Sequence, residues 1–407
     1  MTGCAALQSS TPLTDVTLKD VAFAIPLYEI AGSMVSVDRS QMVFVYKDGS
    51  YQIHDGTAMF DLAPVWTHKG LSFADRTDDY FVGENPQDTK TVPHKKTDFQ
   101  YASIALGSDQ RLTIYNTGMQ DKVDGRAIIT DSVGHSSTKA YSTKGTLAAT
   151  SLTSCGSLTL GVVGDESDFT RLHLYRFADH ERIGFKKLKN LQIEAKSFSS
   201  EVLRTIDGVP TMEDLVVGST SLPCADDTIH FIAKVSKTQT EASTEVLISG
   251  SWNIKTGKAR YVPLRNSDGS LITNEYGDYG GEWSGYDYDQ QSFDGSTHTF
   301  VSSETGRLMQ TDVKTGVTRV LDAPKITGGA PYNGRIYLRS SKTRFYVFML
   351  PMNDNGGIHS TVRIYDRRTT KLIKVFTIDD SFTHHLQTDS VQNGSPVINP
   401  AEPLFRE

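Results

Sequence analysis

A strand–turn–strand pattern recurs along the chain and limits its fold more than any other feature. The reference copy is Ser251-Trp-Asn-Ile-Lys-Thr-Gly-Lys-Ala-Arg-Tyr-Val262, where a β-rich run meets a tight turn and an extended run follows. Gly257 suits this turn because glycine adopts positive φ without a steric penalty. Further copies lie at Gln310–Val320, Arg363–Phe376, Ser50–Gly56, Leu112–Gly118 and His173–His180. The recurrence predicts a chain built from repeated β-units.

The spacing of these copies indicates the architecture. The marker residues are Asp55, Asn116, Phe177, Asn253, Asp312 and Asp366, with separations of 61, 61, 76, 59 and 54 residues. About four short strands per unit at such a period is typical of a β-propeller, in which each blade packs on its neighbours. The alternative is a β-sandwich array that shares the same turn chemistry.

The chain length divided by the period predicts about seven blades, one more than the markers show. We expect the seventh to combine the N-terminal run Val16–Leu27 with the C-terminal run Phe382–Phe405, which would leave no open edge in the ring. The prediction is therefore an all-β propeller of seven four-stranded blades, closed by N- and C-terminal strands. Residues 1–13 are predicted to be a flexible leader and residues 14–407 a single propeller domain.

Three segments qualify this picture. Met34–Ile53 has the alternation of most of a blade, with a hairpin turn at Lys47–Gly49. Thr77–Asp98 is polar and lacks apolar periodicity, which predicts a long surface loop. Glu181–Pro210 is predicted to be an insertion between blades, and Asn190–Leu203 within it is the best helical segment.

Composition and motifs exclude several classes of function. The net charge of −7, with both signs interspersed along 407 residues, argues against a nucleic-acid surface. No apolar run approaches the length of about 18 residues that a membrane span needs. The sequence contains no Gly-x-Ser-x-Gly and no His-Glu-x-x-His motif. Paired carboxylates such as Asp78-Asp79 are predicted to lie in solvated turns.

Three cysteines are present, with no zinc-type spacing. Cys4 lies among small residues before a Ser/Thr linker, which resembles a bacterial lipoprotein processing site; the alternative is an ordinary exposed cysteine. Cys155 and Cys224 are either a disulfide in an oxidising compartment or two separate buried thiols.

The most unusual composition is the acidic and aromatic stretch Asn274–Asp289. Such groups suit a cationic or sugar-like ligand through cation–π contact and charge pairing, and their oxygens also suit calcium. The alternative is a loop whose aromatic side chains pack on the propeller. His384-His385, followed by Asp389, is a weaker metal candidate, predicted instead to be a solvated pair. The candidate ligand residues are Tyr276, Tyr279, Glu282, Trp283, Tyr286 and Asp287.

The C-terminal third contains, in this order, Phe300–Asp312, Gly328-Gly329, Arg344–Pro351, Gly357–His359, Val362–Asp366 and Thr369–Ile378. These segments and their order resemble the heavy subunit of bacterial amine dehydrogenases. Cys155–Leu160 is similar to a further strand of the family. The family's Arg-Gly-x-Arg-Thr-Asp run is reduced here to Asp75–Asp78.

This resemblance implies a periplasmic seven-bladed propeller that docks a small redox subunit. The quinone of that subunit derives from tryptophan, so no cofactor is expected in this chain, which would act as a scaffold and channel wall. A cationic amine would then pass the Tyr276–Asp289 stretch. The alternative is a stand-alone, lipid-anchored propeller that binds a protein or a surface polymer; both expectations are extracytoplasmic.

Overall fold

The computed structural model describes residues 10–30, 37–60, 62–97, 99–106, 110–116, 127–133, 137–142, 150–164, 171–179, 182–207, 210–212, 221–237, 244–275, 285–325, 332–352, 359–387 and 391–401. The candidates Cys4, Tyr276, Tyr279, Glu282 and Trp283 lie outside these residues.

Antiparallel sheets form a ring of seven blades, numbered here in chain order, which confirms the predicted fold. The strands of blade 1 are β1 (Val21–Ile30), β2 (Val37–Tyr46) and β3 (Tyr51–Thr57). Blade 2 has β4 (Val65–Thr67), β5 (Gly70–Ala74), β6 (Asp78–Gly83) and β7 (Lys90–Pro93). Blade 3 has β8 (Phe99–Leu106), β9 (Gln110–Asn116), β10 (Ala127–Val133) and β11 (Ser137–Ser142). Blade 4 has β12 (Thr150–Cys155), β13 (Leu158–Gly164), β14 (Arg171–Asp179) and β15 (Arg182–Gln192).

The remaining strands complete the ring. Blade 5 has β16 (Pro210–Thr211), β17 (Cys224–Ala225), β18 (Thr228–Lys237), β19 (Thr244–Asn253), β20 (Ala259–Pro263) and β21 (Thr273–Glu275). Blade 6 has β22 (Tyr286–Asp287), β23 (Thr297–Ser302), β24 (Leu308–Asp312) and β25 (Thr318–Asp322). Blade 7 has β26 (Gly334–Ser340), β27 (Arg344–Pro351), β28 (Thr361–Asp366) and β29 (Leu372–Thr377). The last strands are β30 (Val391–Asn393) and β31 (Val397–Ile398), which return to blade 1.

Blade 1 closes the ring with both ends of the chain. Its strand order is β3-β2-β1-β30, and β31 also pairs with β1. Leu27 lies opposite Asn393, and Phe23 lies opposite Ile398. The predicted closure is therefore correct, although Met34–Ile53 belongs to this same blade. The packed chain begins before residue 14, because the Thr11 amide donates to the Ile53 carbonyl at 2.7 Å.

The repeated turn joins the third and fourth strands of blades 5, 6 and 7. In each copy a side-chain oxygen at the strand end accepts backbone N–H groups of the turn, as Asp312 does from Lys314 and Thr315 at 2.9 and 2.8 Å. The turn then needs positive φ, which is 77° at Gly316 and 58° at Thr370. These local bonds explain why the motif was visible in the sequence.

Two sequence predictions about blades were wrong. Thr77–Asp98 is not a long surface loop, because it contains β6 and β7 of blade 2, the blade that the markers missed. Asp55 lies in a fourth strand and Asn116 ends a second strand, so these two markers were out of phase with the others. The polar residues that suggested a loop are paired with one another in the folded chain, as described below.

The segment 181–210 also differs from its prediction. Its first third is β15, the outer strand of blade 4, and only the part after β15 connects blade 4 to blade 5. The described helices are α1 (Ser200–Ile206) and α2 (Asp380–Leu386), with short 3₁₀ turns at Leu13–Asp15, Leu18–Asp20, Pro86–Asp88 and Ala195–Ser197. The Ser199 hydroxyl caps α1 by accepting from the Val202 amide at 3.3 Å.

Apolar side chains between neighbouring blades form the core. Trp252 is fully buried among residues of blades 4, 5, 6 and 7, and Phe23 packs edge-on against Phe348 of blade 7 at 5.1 Å. Each sheet thus buries its faces against the next, which leaves inner strands at the axis and outer strands at the rim.

Candidate functional site

Two carboxylates of blade 6 form a joint with the inner strand of blade 7. Asp287 lies on β22 and accepts from the Leu338 amide of β26 at 2.8 Å. Two residues further along, Asp289 accepts from the Ser340 amide, so alternate residues of one segment meet alternate amides of β26. The other oxygen of Asp289 accepts from the Gln291 amide at 3.0 Å.

Arg339 is the cation of this joint. Its Nη1 lies 2.8 Å from Asp287 Oδ2, and its Nε donates to the Pro396 carbonyl at 2.7 Å. It also donates to the Ser395 hydroxyl. The guanidinium therefore links blade 6, blade 7 and the returning C-terminal segment of blade 1 in one buried cluster.

Further polar groups continue this cluster towards β30. Arg335 Nη2 donates to the Tyr28 hydroxyl and to Gln392 Oε1, both at 3.1 Å. The Tyr337 hydroxyl donates to the Asn393 carbonyl at 3.0 Å. We call the whole set the axial network: Tyr28, Asp287, Asp289, Arg335, Tyr337, Arg339 and Gln392.

The electrostatics of the axial network follow from burial. Burial raises the pKa of Asp289 to about 6. It also raises the pKa of Asp287, although the Arg339 charge opposes that effect. A carboxyl with such a pKa resembles a proton-transfer group. Both oxygens of Asp289 accept backbone amides, however, so its geometry favours a joint between blades over acid–base chemistry.

The remaining candidate aromatic residue that the structure describes is internal. Tyr286 is buried, and its hydroxyl donates to the Ile232 carbonyl of blade 5 at 3.0 Å. Its ring lies parallel to that of Tyr288 at 6.2 Å. Tyr286 and Asp287 thus face neighbouring blades, and the sequence did not show this because both types of residue also suit an exposed loop.

A second buried charge cluster was missed by the sequence analysis. Asp79 of β6 accepts from Arg111 Nη2 of β9 at 2.7 Å, and His94 Nδ1 lies 2.7 Å from its other oxygen. Lys96 lies 3.5 Å from Asp79 and donates to the Asp75 carbonyl at 2.8 Å and the Asp78 carbonyl at 2.9 Å. We call Asp79, His94, Lys96 and Arg111 the rim cluster; it joins blades 2 and 3.

The pKa values of Lys96 and Asp79 in the rim cluster are both lowered, but for different reasons. Burial lowers the pKa of Lys96 to about 8, while the Asp79 charge opposes this effect. Burial would raise the pKa of Asp79, but the His94 hydrogen bond and the Arg111 and Lys96 charges outweigh it, so that pKa is lowered. The ammonium group of Lys96 is fully engaged, which indicates a structural role.

Cys155 and Cys224 form a disulfide with a Cα–Cα distance of 5.4 Å. Cys155 ends β12 of blade 4, and Cys224 begins β17 of blade 5. The bond therefore links the inner strands of two neighbouring blades.

The paired histidines lie on α2 rather than on a strand. His384 is exposed, and His385 Nε2 lies 2.8 Å from Gln41 Oε1. Among the described residues, no group of three or more His, Cys, Asp or Glu side chains is arranged to hold a metal ion. Within the same ranges, no helix is long and apolar enough to cross a bilayer.

Comparisons with known proteins give similar solved structures and no relative in sequence. No family model and no curated protein matches the sequence. Apo AztD from Citrobacter koseri is similar over 93% of this chain and 100% of its own, at 9% identity and a TM-score of 0.38. The Neurospora crassa Pan2 WD40 domain is similar over 76% of this chain and 82% of its own, at 12% identity and a TM-score of 0.42.

A third neighbour is the Nup133 β-propeller domain of Vanderwaltozyma polyspora, at 8% identity and a TM-score of 0.45. It covers 84% of this chain and 94% of its own. None of these three is an amine dehydrogenase heavy subunit.

Proposed function

We propose that the chain is an extracytoplasmic propeller that acts as a binding scaffold for another protein and carries no cofactor of its own. The observation that carries this proposal is the Cys155–Cys224 disulfide, because such bonds persist in oxidising compartments and are rare in the cytosol. The axial network and the rim cluster support the scaffold role, since their charged groups are used to join blades.

Isolation of the native chain in the presence of a thiol-blocking reagent tests the compartment. We expect a disulfide-linked peptide pair containing Cys155 and Cys224, detected by mass spectrometry without reduction. Recovery of both cysteines in alkylated form would place the chain in a reducing compartment and overturn that part of the proposal. Cys4 provides the internal control for complete alkylation unless it carries lipid, which the same spectrum identifies.

The scaffold role is tested by the mass of the native assembly. Light scattering after gentle extraction should give a mass clearly above the 44.8 kDa of one chain, with a second polypeptide present in a fixed ratio. A native monomer would contradict a constitutive scaffold. For a lipid-anchored chain, Cys4→Ser should move the protein from the membrane fraction to the soluble fraction.

A second candidate is the heavy-chain role in an amine-dehydrogenase-like complex. It is favoured by the order of the C-terminal motifs and by the acidic, aromatic stretch that leads into β22 beside the axis. This function requires a small partner with quinone absorbance, and amine binding that weakens in Glu282→Gln and Trp283→Ala. A colourless native complex would exclude it and leave the general scaffold role intact.

A further inference from the structure

The outer strand of blade 7 is an exposed apolar edge. Within the described chain, β29 pairs with β28 on one side and with no strand on the other. Leu372, Ile373 and Val375 are 43%, 49% and 43% exposed. Leu372 lies opposite Tyr365 and Val375 lies opposite Arg363, so Leu372 and Val375 share one face, and a register shift between them leaves Ile373 as an extra residue without a partner on β28. An open edge of this kind is a template for another extended chain.

The outer strands of blades 1, 2, 4 and 5 are protected. The N-terminal segment covers β3, where Thr11 bonds to Ile53, and Phe198 stacks on Tyr261 of β20 at 4.8 Å. The outer strand of blade 2 ends in a proline, and that of blade 4 carries four basic side chains and one exposed large apolar residue, whereas β29 carries one basic side chain and three exposed apolar ones. The protecting residues of blades 2 and 4 are Lys90, Pro93, Arg182, Lys186, Lys187 and Lys189.

The edge of blade 7 is also basic, although the whole chain is acidic. Residues 361–377 contain five basic side chains and one acidic one, against a net charge of −7 for the chain. Lys371 is exposed at the start of β29 and has no ion pair with any residue that the structure describes. Arg363, the register partner of Val375, pairs at 2.6 Å with Asp322 of blade 6. Val320, two residues before Asp322, is itself 54% exposed.

We propose that β29 docks an extended segment of a partner protein, with alternating apolar and acidic residues, as a fifth strand of blade 7. Main-chain hydrogen bonds would provide the register, and Leu372 and Val375 would contact apolar side chains of the added strand. Acidic side chains would complement Lys371. A second copy of this chain fits less well, because two identical basic edges would bring like charges together. This inference rests on the proposed scaffold role and names the partner's chemistry.

Fluorescence anisotropy with two labelled peptides tests the proposal on the full chain. The probes are an acetylated, amidated octamer of alternating Glu and Val, and its charge-inverted Lys–Val counterpart. We expect the acidic octamer to bind and the basic one not to bind at the same concentrations. Leu372→Thr with Val375→Thr should weaken binding about tenfold, since each cross-strand pair contributes up to about 1 kcal/mol. Threonine keeps the strand propensity, so the blade should remain folded.

Leu188→Thr on β15 is the matched control, because Leu188 is also an exposed apolar residue of an outer strand. This control variant should leave peptide binding unchanged. In the wild-type chain, binding of the acidic octamer should slow hydrogen exchange at the amides of β29 but not at those of β15. Three results would overturn the proposal: equal binding of the two octamers, an equal loss of binding in Leu188→Thr, or slowed hydrogen exchange at amides outside β29. So would concentration-dependent self-association that the Leu372/Val375 double variant abolishes, since the occupant would then be a second copy. None of these outcomes affects the native disulfide or the mass of the native assembly, so failure here is distinguishable from failure of the scaffold role.

Discussion

Removal of the Cys155–Cys224 disulfide is the most direct perturbation of this ring. The bond joins two inner strands that are 69 residues apart in sequence. Between them lie most of blade 4 and the start of blade 5, including α1. Without the cross-link, the unfolded chain gains conformational freedom, whereas the folded blades keep their packing around the buried Trp252.

The magnitude follows from the loop length. In the chain-entropy model, closing a loop of about 70 residues removes about 15 cal/mol/K from the unfolded chain, or about 4.4 kcal/mol at 25 °C. With a urea m-value of about 3 kcal/mol/M, the unfolding midpoint should fall by about 1.5 M. A loss of this size is a large part of a typical folding free energy.

The assay is urea unfolding of the wild type and of Cys155→Ser/Cys224→Ser, followed by tryptophan fluorescence. Reduced wild type should behave like the double variant, and Cys4→Ser should behave like oxidised wild type. The single variants Cys155→Ser and Cys224→Ser should each match the double variant, because either one breaks the bond. Midpoints that agree within about 0.2 M among oxidised, reduced and double-variant proteins would refute the reasoning.

Three further predictions concern the polar joints and the packing. Burial raises the pKa of Asp289 to about 6 from its ordinary 3.8, so its contribution to stability is present at low pH and lost as the pH rises through 6. Asp289→Asn should therefore gain up to about 3 kcal/mol relative to wild type between about pH 4 and pH 8, measured by urea unfolding at both values. Arg111→Met removes a partner of the buried Asp79 carboxylate and should cost about 3 kcal/mol in the same assay at neutral pH. Gly250→Ala would place a Cβ 1.9 Å from the Phe231 ring and should lower the unfolding free energy by about 1–3 kcal/mol.

Matched variants make these outcomes decisive. Asp312→Asn, at an exposed turn whose hydrogen bonds to Thr315 lower the Asp312 pKa, should show no gain as the pH rises. Gly184→Ala has open space around the added Cβ and should leave stability nearly unchanged. Each argument has its own contrary result in the free energy of unfolding. For Asp289→Asn it is a change that does not depend on pH, and for Arg111→Met it is no loss of stability. For Gly250→Ala it is a loss no larger than that of Gly184→Ala.

The accuracy of the sequence analysis depended on the range of the interactions involved. The turns at Asn253–Gly257 and Asp312–Gly316 were recognised because their hydrogen bonds join residues a few positions apart. Blade 2 was missed because Asp79 and Lys96 resemble solvated loop residues until Arg111 of the next blade is placed beside them. No local pattern reports that pairing.

The same distinction applies to the candidate site. Asp287 stood out in an acidic, aromatic run, yet its partners are Leu338 and Arg339, about 50 positions further along the chain. Tyr286 likewise meets Ile232 of the preceding blade. Composition identified unusual residues, but the seams between blades determine what those residues contact.

By itself, the sequence determined the all-β class, the repeated blade and the joining of both chain ends, because turn chemistry and side-chain alternation act between near neighbours. Only the tertiary structure decided the phase of each blade, the partners of the buried charges and the strand left open at the rim. Those features arise where one sheet meets the next, between residues that are distant in the chain.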